Sequence, residues 1–132
     1  MASNAKTVTV GTASAAPGAV ALGRIEVTSL AGGGGVGMPV IVINGNAAGP
    51  CLWVDAAIHG DEPEGTLACH ILRREVAPAS LAGTLVLVPA MNVGAWEAGR
   101  RGNPLDTFSH DMNRIYPGRA EGYLTERVWG ER

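Results

Sequence analysis

The sequence of 132 residues has little of several features that define other classes of protein. Its two cysteines, Cys51 and Cys69, form no CxxC pair, so we expect two buried free thiols in a reducing compartment rather than a disulfide framework. Aromatic residues make up only 5 % and the net charge is −2, which argues against a nucleic-acid or membrane partner. No apolar run approaches the ~20 residues of a membrane helix, and no secretory signal is recognisable. These absences predict a soluble, cytoplasmic protein.

The sequence contains enough apolar material for one domain or part of one. Apolar residues make up 46 %, and 19 glycines indicate many turns. Residues 1–18 are small and polar and end at Pro17-Gly18, so we expect a flexible N-terminal tail with a short strand at residues 7–10. The predicted folded domain then covers residues 19–132.

The apolar pattern predicts an α/β fold. We expect strands over residues 19–30, 38–44 and 51–58, a helix over residues 66–76 and a strand over residues 84–88. The last three elements form a βαβ unit, which should be parallel and right-handed, so both of its strands end at the same edge of the sheet. Because residues 51–58 are apolar with little alternation, we expect that strand to be buried on both faces.

A glycine-rich segment between the first two strands formally contains a GxGxxG motif, at Gly32, Gly34 and Gly37. A dinucleotide site requires a helix to open at such a motif, whereas a β-branched run follows here. We therefore predict a hairpin loop and no nucleotide site.

A histidine and three carboxylates lie in the turn between the third strand and the helix, in His59-Gly60-Asp61-Glu62-Pro63-Glu64-Gly65. Open α/β sheets bind ligands at this position, and imidazole and carboxylate are good zinc ligands. Our hypothesis is that His59 and Glu62 are two of three protein ligands of a catalytic zinc. The alternative is an ordinary polar turn, in which Pro63 and the acids merely suit the start of a helix.

A long polar connection over residues 94–118 separates the last strand from a helix that we expect over residues 122–132. Connections of this length are uncommon unless they are functional or disordered. Asn113 and Arg114 would make a good clamp for a carboxylate, although a loop-capping amide and a solvated guanidinium would be the better explanation if the pair stood alone. Ser109-His110-Asp111 names the residue types of a nucleophilic triad, but neighbouring residues in a loop rarely adopt that geometry.

Four blocks in this order resemble the succinylglutamate desuccinylase/aspartoacylase family of the zinc carboxypeptidase superfamily. The blocks are His59-Gly60-Asp61-Glu62-Pro63-Glu64-Gly65, Val88-Pro89-Ala90-Met91-Asn92, Arg101-Gly102-Asn103-Pro104-Leu105-Asp106 and Asp111-Met112-Asn113-Arg114-Ile115-Tyr116-Pro117-Gly118. The resemblance covers most of residues 20–130. It implies a mixed sheet flanked by helices, and it assigns residues 19–132 to the N-terminal part of a zinc-carboxypeptidase-like deacylase domain.

The resemblance also implies roles for individual residues. His59 and Glu62 match two zinc ligands, Asn113 and Arg114 match the pair that holds the substrate carboxylate, and Arg101 matches the arginine that polarises the scissile carbonyl. The implied reaction is zinc-dependent hydrolysis of the amide bond of an N-acyl amino acid or a similar small acylated amine.

Two members of the family's site have no counterpart in this sequence. The family's third zinc ligand and its general-base glutamate follow the last helix, beyond the final residue of this chain. His110 is a poor substitute, because it lies in an inserted part of the loop. We therefore expect an N-terminal fragment with weak zinc binding and little hydrolase activity of its own.

Two other functions stay open on the sequence alone. A zinc peptidase of the wider superfamily shares the His59 and Asn113 blocks, although the short connection between them and the glycine-rich β region favour a deacylase. A non-catalytic fragment that binds a partner, or merely persists as a folded piece, would also lack the third ligand.

Overall fold

The computed structural model describes residues 5–106 and 111–130. In chain order its elements are β1 (Val8–Val10), β2 (Ala13–Ala15), β3 (Val20–Ser29), β4 (Gly35–Asn44), β5 (Ala47–Asp55), α1 (Glu64–Glu75), β6 (Ala82–Val88), α2 (Val93–Ala98) and α3 (Leu124–Gly130). Two short 3-10 helices lie at Pro78–Ser80 and Met112–Arg114.

Four strands form one mixed sheet in the order β3-β4-β6-β5. Strands β3 and β4 are antiparallel, as are β4 and β6, whereas β5 and β6 are parallel and joined through α1. The predicted βαβ unit is therefore present, and the ends of β5 and β6 lie side by side in the register Asp55 to Val88. The glycine-rich segment is the predicted hairpin loop, because it joins the antiparallel pair β3 and β4.

Both faces of the sheet are covered at its two central strands, β4 and β6. One face packs against α1, which inserts the fully buried Cys69 between the side chains of β4 and β6. The other face packs against β1, β2 and α3, the last of which contributes Val128 and Trp129. This second core also contains Met91, which follows β6, and Met112, which lies in the second 3-10 helix.

Residues 8–15 of the predicted flexible tail are folded: the short strand expected at residues 7–10 is present as β1, whereas β2 was not expected. These residues form the antiparallel pair β1 and β2, and Ala13 and Ala15 are each only 1 % exposed. Strand β2 approaches β3 very closely at Gly23. A Cβ on Gly23 would lie 2.4 Å from the backbone nitrogen of Ala13. The small residues that suggested disorder thus allow close packing.

The predicted burial of the third strand on both faces is also wrong. Strand β5 is the edge strand of the described sheet, and Leu52 is 62 % exposed. A continuous apolar run cannot distinguish a central strand from an edge strand, because periodicity reports on side chains and not on which neighbours pair with the backbone. Cys51 is exposed on this strand, so only Cys69 of the two free thiols is buried as expected.

The long polar connection contains structure that the sequence did not predict. Helix α2 occupies Val93–Ala98, and Asn92 caps it by accepting a hydrogen bond from the backbone nitrogen of Ala95. The terminal helix begins at Leu124, two residues later than predicted. In the described part of the chain, no helix has the length and apolar character needed to cross a membrane.

Candidate metal centre

The turn that carries His59 is fixed by backbone hydrogen bonds to the end of β6. Ala56 donates to the carbonyl of Val88, while Met91 and Asn92 donate to the carbonyls of Ala56 and Ala57. Ala57 has a φ of 50°, a left-handed conformation that is uncommon for a residue with a side chain and that occurs often at functional sites. The chain therefore leaves β5 sharply at this position.

Helix α2 supports the same turn from the other side. The buried side chain of Asn92 donates to the carbonyl of Ile58, and the backbone nitrogen of Gly60 donates to the carbonyl of Arg100. A Cβ on Gly60 would lie 2.0 Å from the carbonyl of Ala95, so no other residue fits without displacing α2. The residues on either side of His59 are thus both held by hydrogen bonds.

The imidazole of His59 lies between two carboxylates and is 5 % exposed. Its Nε2 atom is 2.8 Å from Oδ1 of Asp111, and its Nδ1 atom is 3.0 Å from Oε1 of Glu62. An ionised Asp111 can only accept a hydrogen bond, so Nε2 donates. In a neutral ring this leaves a lone pair on Nδ1, and Nδ1 is buried without a hydrogen-bond partner despite its proximity to Glu62.

This arrangement suits a divalent metal ion. Nδ1 of a neutral His59 ring and Oε1 of Glu62 are 3.0 Å apart, so one cation placed beside them could be bound by both atoms. Nitrogen from histidine and oxygen from glutamate belong to the usual zinc ligands, and metal-binding histidines commonly donate their other ring N–H to a carboxylate. His59 and Glu62 therefore fit two positions of a zinc site, with Asp111 orienting the ring.

Asp111 was missed as part of the site by sequence reasoning, which considered it only within a triad. Its hydrogen bond with His59 lowers the pKa of the Asp111 carboxyl to about 2, assisted by the backbone nitrogen of Asn113 and by Arg101 and opposed by burial. The available signal was the common pairing of metal-binding histidines with carboxylates. Asp111 was the acidic residue of the Asn113-Arg114 block.

Arg101 joins the two carboxylates. Its Nη1 atom donates to Oε1 of Glu62 at 3.3 Å, while Nε and Nη2 donate to Oδ2 of Asp111 at 3.3 and 3.1 Å. The side chains of Arg101 and Glu62 are 49 % and 57 % exposed. The structure thus brings three sequence-predicted residues, His59, Glu62 and Arg101, to one point.

Asn113 and Arg114 lie at the border of this cluster. The backbone nitrogen of Asn113 donates to Oδ1 of Asp111 at 3.0 Å, and Arg114 donates to the carbonyl of Asn113 at 3.2 Å. Both side chains are exposed. The segment is held from below by Trp129, whose indole nitrogen donates to the carbonyl of Met112.

The remaining histidines supply no third ligand in the described structure. His70 is exposed on α1 and borders a groove between α1 and α2, away from the cluster, and His110 lies outside the described residues. Within residues 5–106 and 111–130, no three histidine, cysteine or acidic side chains are grouped so as to hold a metal ion. Among the described residues, His59 and Glu62 are therefore the candidate ligands without a third beside them.

The fold and the site define an α/β protein with a buried histidine and a glutamate facing each other at the carboxyl edge of a mixed sheet. A family model described as the succinylglutamate desuccinylase/aspartoacylase catalytic domain matches residues 48–130, and the chain belongs to this family. The family predicted from the sequence is confirmed.

Relatives and solved structures agree with this assignment. The chain is 36 % identical over 95 residues to an N-alpha-acetyl-L-2,4-diaminobutyric acid deacetylase of Halomonas elongata. It superimposes with a TM-score of 0.78 and 32 % identity on the product-bound ectoine utilization protein EutE (DoeB) of Ruegeria pomeroyi. A succinylglutamate desuccinylase of a Silicibacter species gives a TM-score of 0.76 and 30 % identity. The predicted fold class, a mixed sheet with flanking helices, is thereby confirmed.

The alignments cover most of this chain but less than half of each protein that it matches. The alignments cover 98 % and 97 % of this chain for the two solved structures, but only 38 % of each of those chains. For the Halomonas relative they cover 72 % of this chain and 27 % of the relative. The chain therefore spans well under half the length of the proteins it matches.

Proposed function

We propose that this chain carries part of the active site of a zinc-dependent hydrolase that cleaves the amide bond of N-acyl amino acids or similar small acylated amines. The observation that carries the proposal is the buried, unpartnered Nδ1 of His59, which faces Glu62 at 3.0 Å while Asp111 holds the opposite ring nitrogen. The deacetylase and desuccinylase names of the relatives support the reaction class.

In this proposal His59 and Glu62 hold the metal, and Asp111 keeps the imidazole in the tautomer and orientation that present Nδ1. When bound, zinc would lower the pKa of a water molecule and polarise the acyl carbonyl. The Arg101 guanidinium donates hydrogen bonds to the carbonyl oxygen as negative charge develops there. We assign no general base and no third ligand within this chain.

Substrate recognition is proposed for Asn113 and Arg114. A planar guanidinium binds a carboxylate with two parallel hydrogen bonds, and a neighbouring amide can add a third. Both side chains are exposed beside the cluster, on a segment whose backbone is fixed by Asp111 and Trp129. Because a relative is named for acetyl-diaminobutyrate, an acetylated diamino acid is the first substrate to try.

Activity of the chain on its own is a separate matter. Catalytic zinc sites generally use three protein ligands, and among the described residues this proposal assigns only His59 and Glu62. We therefore expect weak zinc binding and little hydrolysis by the 132-residue chain. The short separation of His59 from Asn113 still favours a deacylase over a peptidase.

The test is zinc binding by the purified chain, measured by calorimetry and by the rise of the melting temperature in zinc. His59→Ala should abolish binding, whereas His70→Ala, which removes an exposed imidazole away from the cluster, should leave it unchanged. Equal loss in both variants, or no loss in either, would overturn the proposed metal site. Zinc-dependent release of acetate from an acetylated diamino acid by the chain alone would show that two ligands suffice.

A further inference from the structure

We propose that Arg101 and a bound divalent cation compete for Glu62, so that metal binding releases one arm of the arginine while Asp111 retains the other. This inference rests on the proposed metal site. Arg101 would then have two positions. In one it contacts both Glu62 and Asp111, and in the other it contacts Asp111 alone.

The competition is for a single oxygen atom. Oε1 of Glu62 accepts a hydrogen bond from Nη1 of Arg101 at 3.3 Å and lies 3.0 Å from Nδ1 of His59. A cation held between His59 and Glu62 would bind this oxygen and would then stand within a few ångströms of the guanidinium. Two positive charges so close repel each other, so the Arg101–Glu62 contact must lengthen when the cation binds.

Asp111 allows the arginine to move without leaving the site. Nε and Nη2 of Arg101 both donate to Oδ2 of Asp111, while Oδ1 of the same carboxylate accepts from His59. Breaking the contact with Glu62 therefore frees Nη1 alone. The Arg101 side chain is 49 % exposed, which leaves part of its surface free of packing and open to a change of position. The freed nitrogen remains beside the metal ligands, where it can donate to a substrate oxygen.

The expected size of the effect is modest. Exposed ion pairs contribute roughly 0–1 kcal/mol, which corresponds to at most about a fivefold change in an equilibrium constant. Removing any nearby positive charge also favours a cation, so the contact must be separated from the net charge. Arg100 provides the control, because it is the adjacent residue, carries the same charge and is exposed.

The experiment compares the zinc affinities of the full chain and of Arg101→Ala, Arg101→Gln and Arg100→Ala, by calorimetry with Zn²⁺ alone and by melting temperature in zinc up to millimolar concentrations. Arg101→Ala and Arg101→Gln should each bind zinc about two- to fivefold more tightly than Arg100→Ala. The glutamine variant preserves much of the side-chain volume, so a folding defect in the alanine variant does not decide the result.

Two failures can be told apart with His59→Ala as a fourth variant. If His59→Ala abolishes zinc binding but both Arg101 variants bind no more tightly than Arg100→Ala, the competition is overturned and the metal site stands. If His59→Ala leaves zinc binding unchanged, or if no variant binds zinc, the proposed site is overturned and the competition with it.

Discussion

The two sides of the candidate site are built differently. The sheet side, residues 55–98, is tied by backbone hydrogen bonds between the ends of β5 and β6, and it presents His59 at 5 % exposure. The loop side, residues 99–106 and 111–130, reaches the cluster largely through side chains, of which Arg101, Asn113 and Arg114 are exposed. The difference indicates that His59, a proposed metal ligand, is fixed in advance, while the groups proposed to contact substrate retain freedom to adjust.

A change that disturbs the backbone packing of the sheet side should lower both the free energy of unfolding and the affinity for zinc. Gly60→Ala places a Cβ 2.0 Å from the carbonyl of Ala95, so α2 or the His59 turn must move. We expect a loss of about 3 kcal/mol in the free energy of unfolding, measured by urea denaturation, and loss of zinc binding.

Gly34→Ala is the matched control for that change. The nearest atom to a Cβ at Gly34 is Cδ1 of Leu30 at 3.9 Å, so the same substitution meets open space in the hairpin loop. A stability loss in Gly60→Ala no larger than that of Gly34→Ala would show that the sheet side is not rigid.

The contrast between the two sides also separates what the sequence could predict from what it could not. Strands β3, β4 and β6 and helix α1 were predicted to within about three residues, because each has a long local apolar pattern. The short strand β1 was also expected, at residues 7–10, whereas strand β2 and helix α2, three and six residues long, leave no such pattern. Their formation depends on packing against distant residues, as the contact of Ala13 with Gly23 illustrates.

The candidate site divides in the same way. His59, Glu62 and Arg101 came from motifs, and the structure brings them together at the edge where β5 and β6 end. Asp111 could not be assigned its place from the sequence, because its contact with His59 joins residues 52 positions apart. Only the folded chain shows that the second carboxylate at His59 comes from the loop side.

Asp111 connects the two sides through its contacts with His59 and Arg101. Its substitution should change the affinity for zinc more than the free energy of unfolding. Asp111→Asn preserves the shape of the side chain but removes the charge that orients the His59 ring and anchors Arg101. Loss of such a carboxylate partner typically weakens metal binding 10- to 100-fold, so we expect zinc affinity to fall about tenfold in calorimetry with little change in unfolding.

Asp61→Asn separates this role from the loss of one negative charge. Asp61 is exposed in the same turn, two residues from His59, and its substitution changes the net charge equally. If Asp61→Asn weakens zinc binding as much as Asp111→Asn, orientation of the ring by Asp111 is not needed.

The smallest effect is expected where the loop side rests on the core. The indole nitrogen of Trp129 donates to the carbonyl of Met112 at 2.8 Å, and Trp129 packs edge to face with Tyr116. Trp129→Phe keeps an aromatic ring but removes the shorter of the two hydrogen bonds to this carbonyl, the other being the 3.5 Å bond from the backbone nitrogen of Ile115, so we expect a loss of about 1 kcal/mol in urea denaturation. Because His59 and Glu62 are held by the sheet side, zinc affinity should stay within about twofold of the parent chain. Trp96→Phe, the same substitution at a half-buried position on α2, is the control. A zinc affinity that falls in Trp129→Phe but not in Trp96→Phe would show that the loop side also positions the proposed metal ligands.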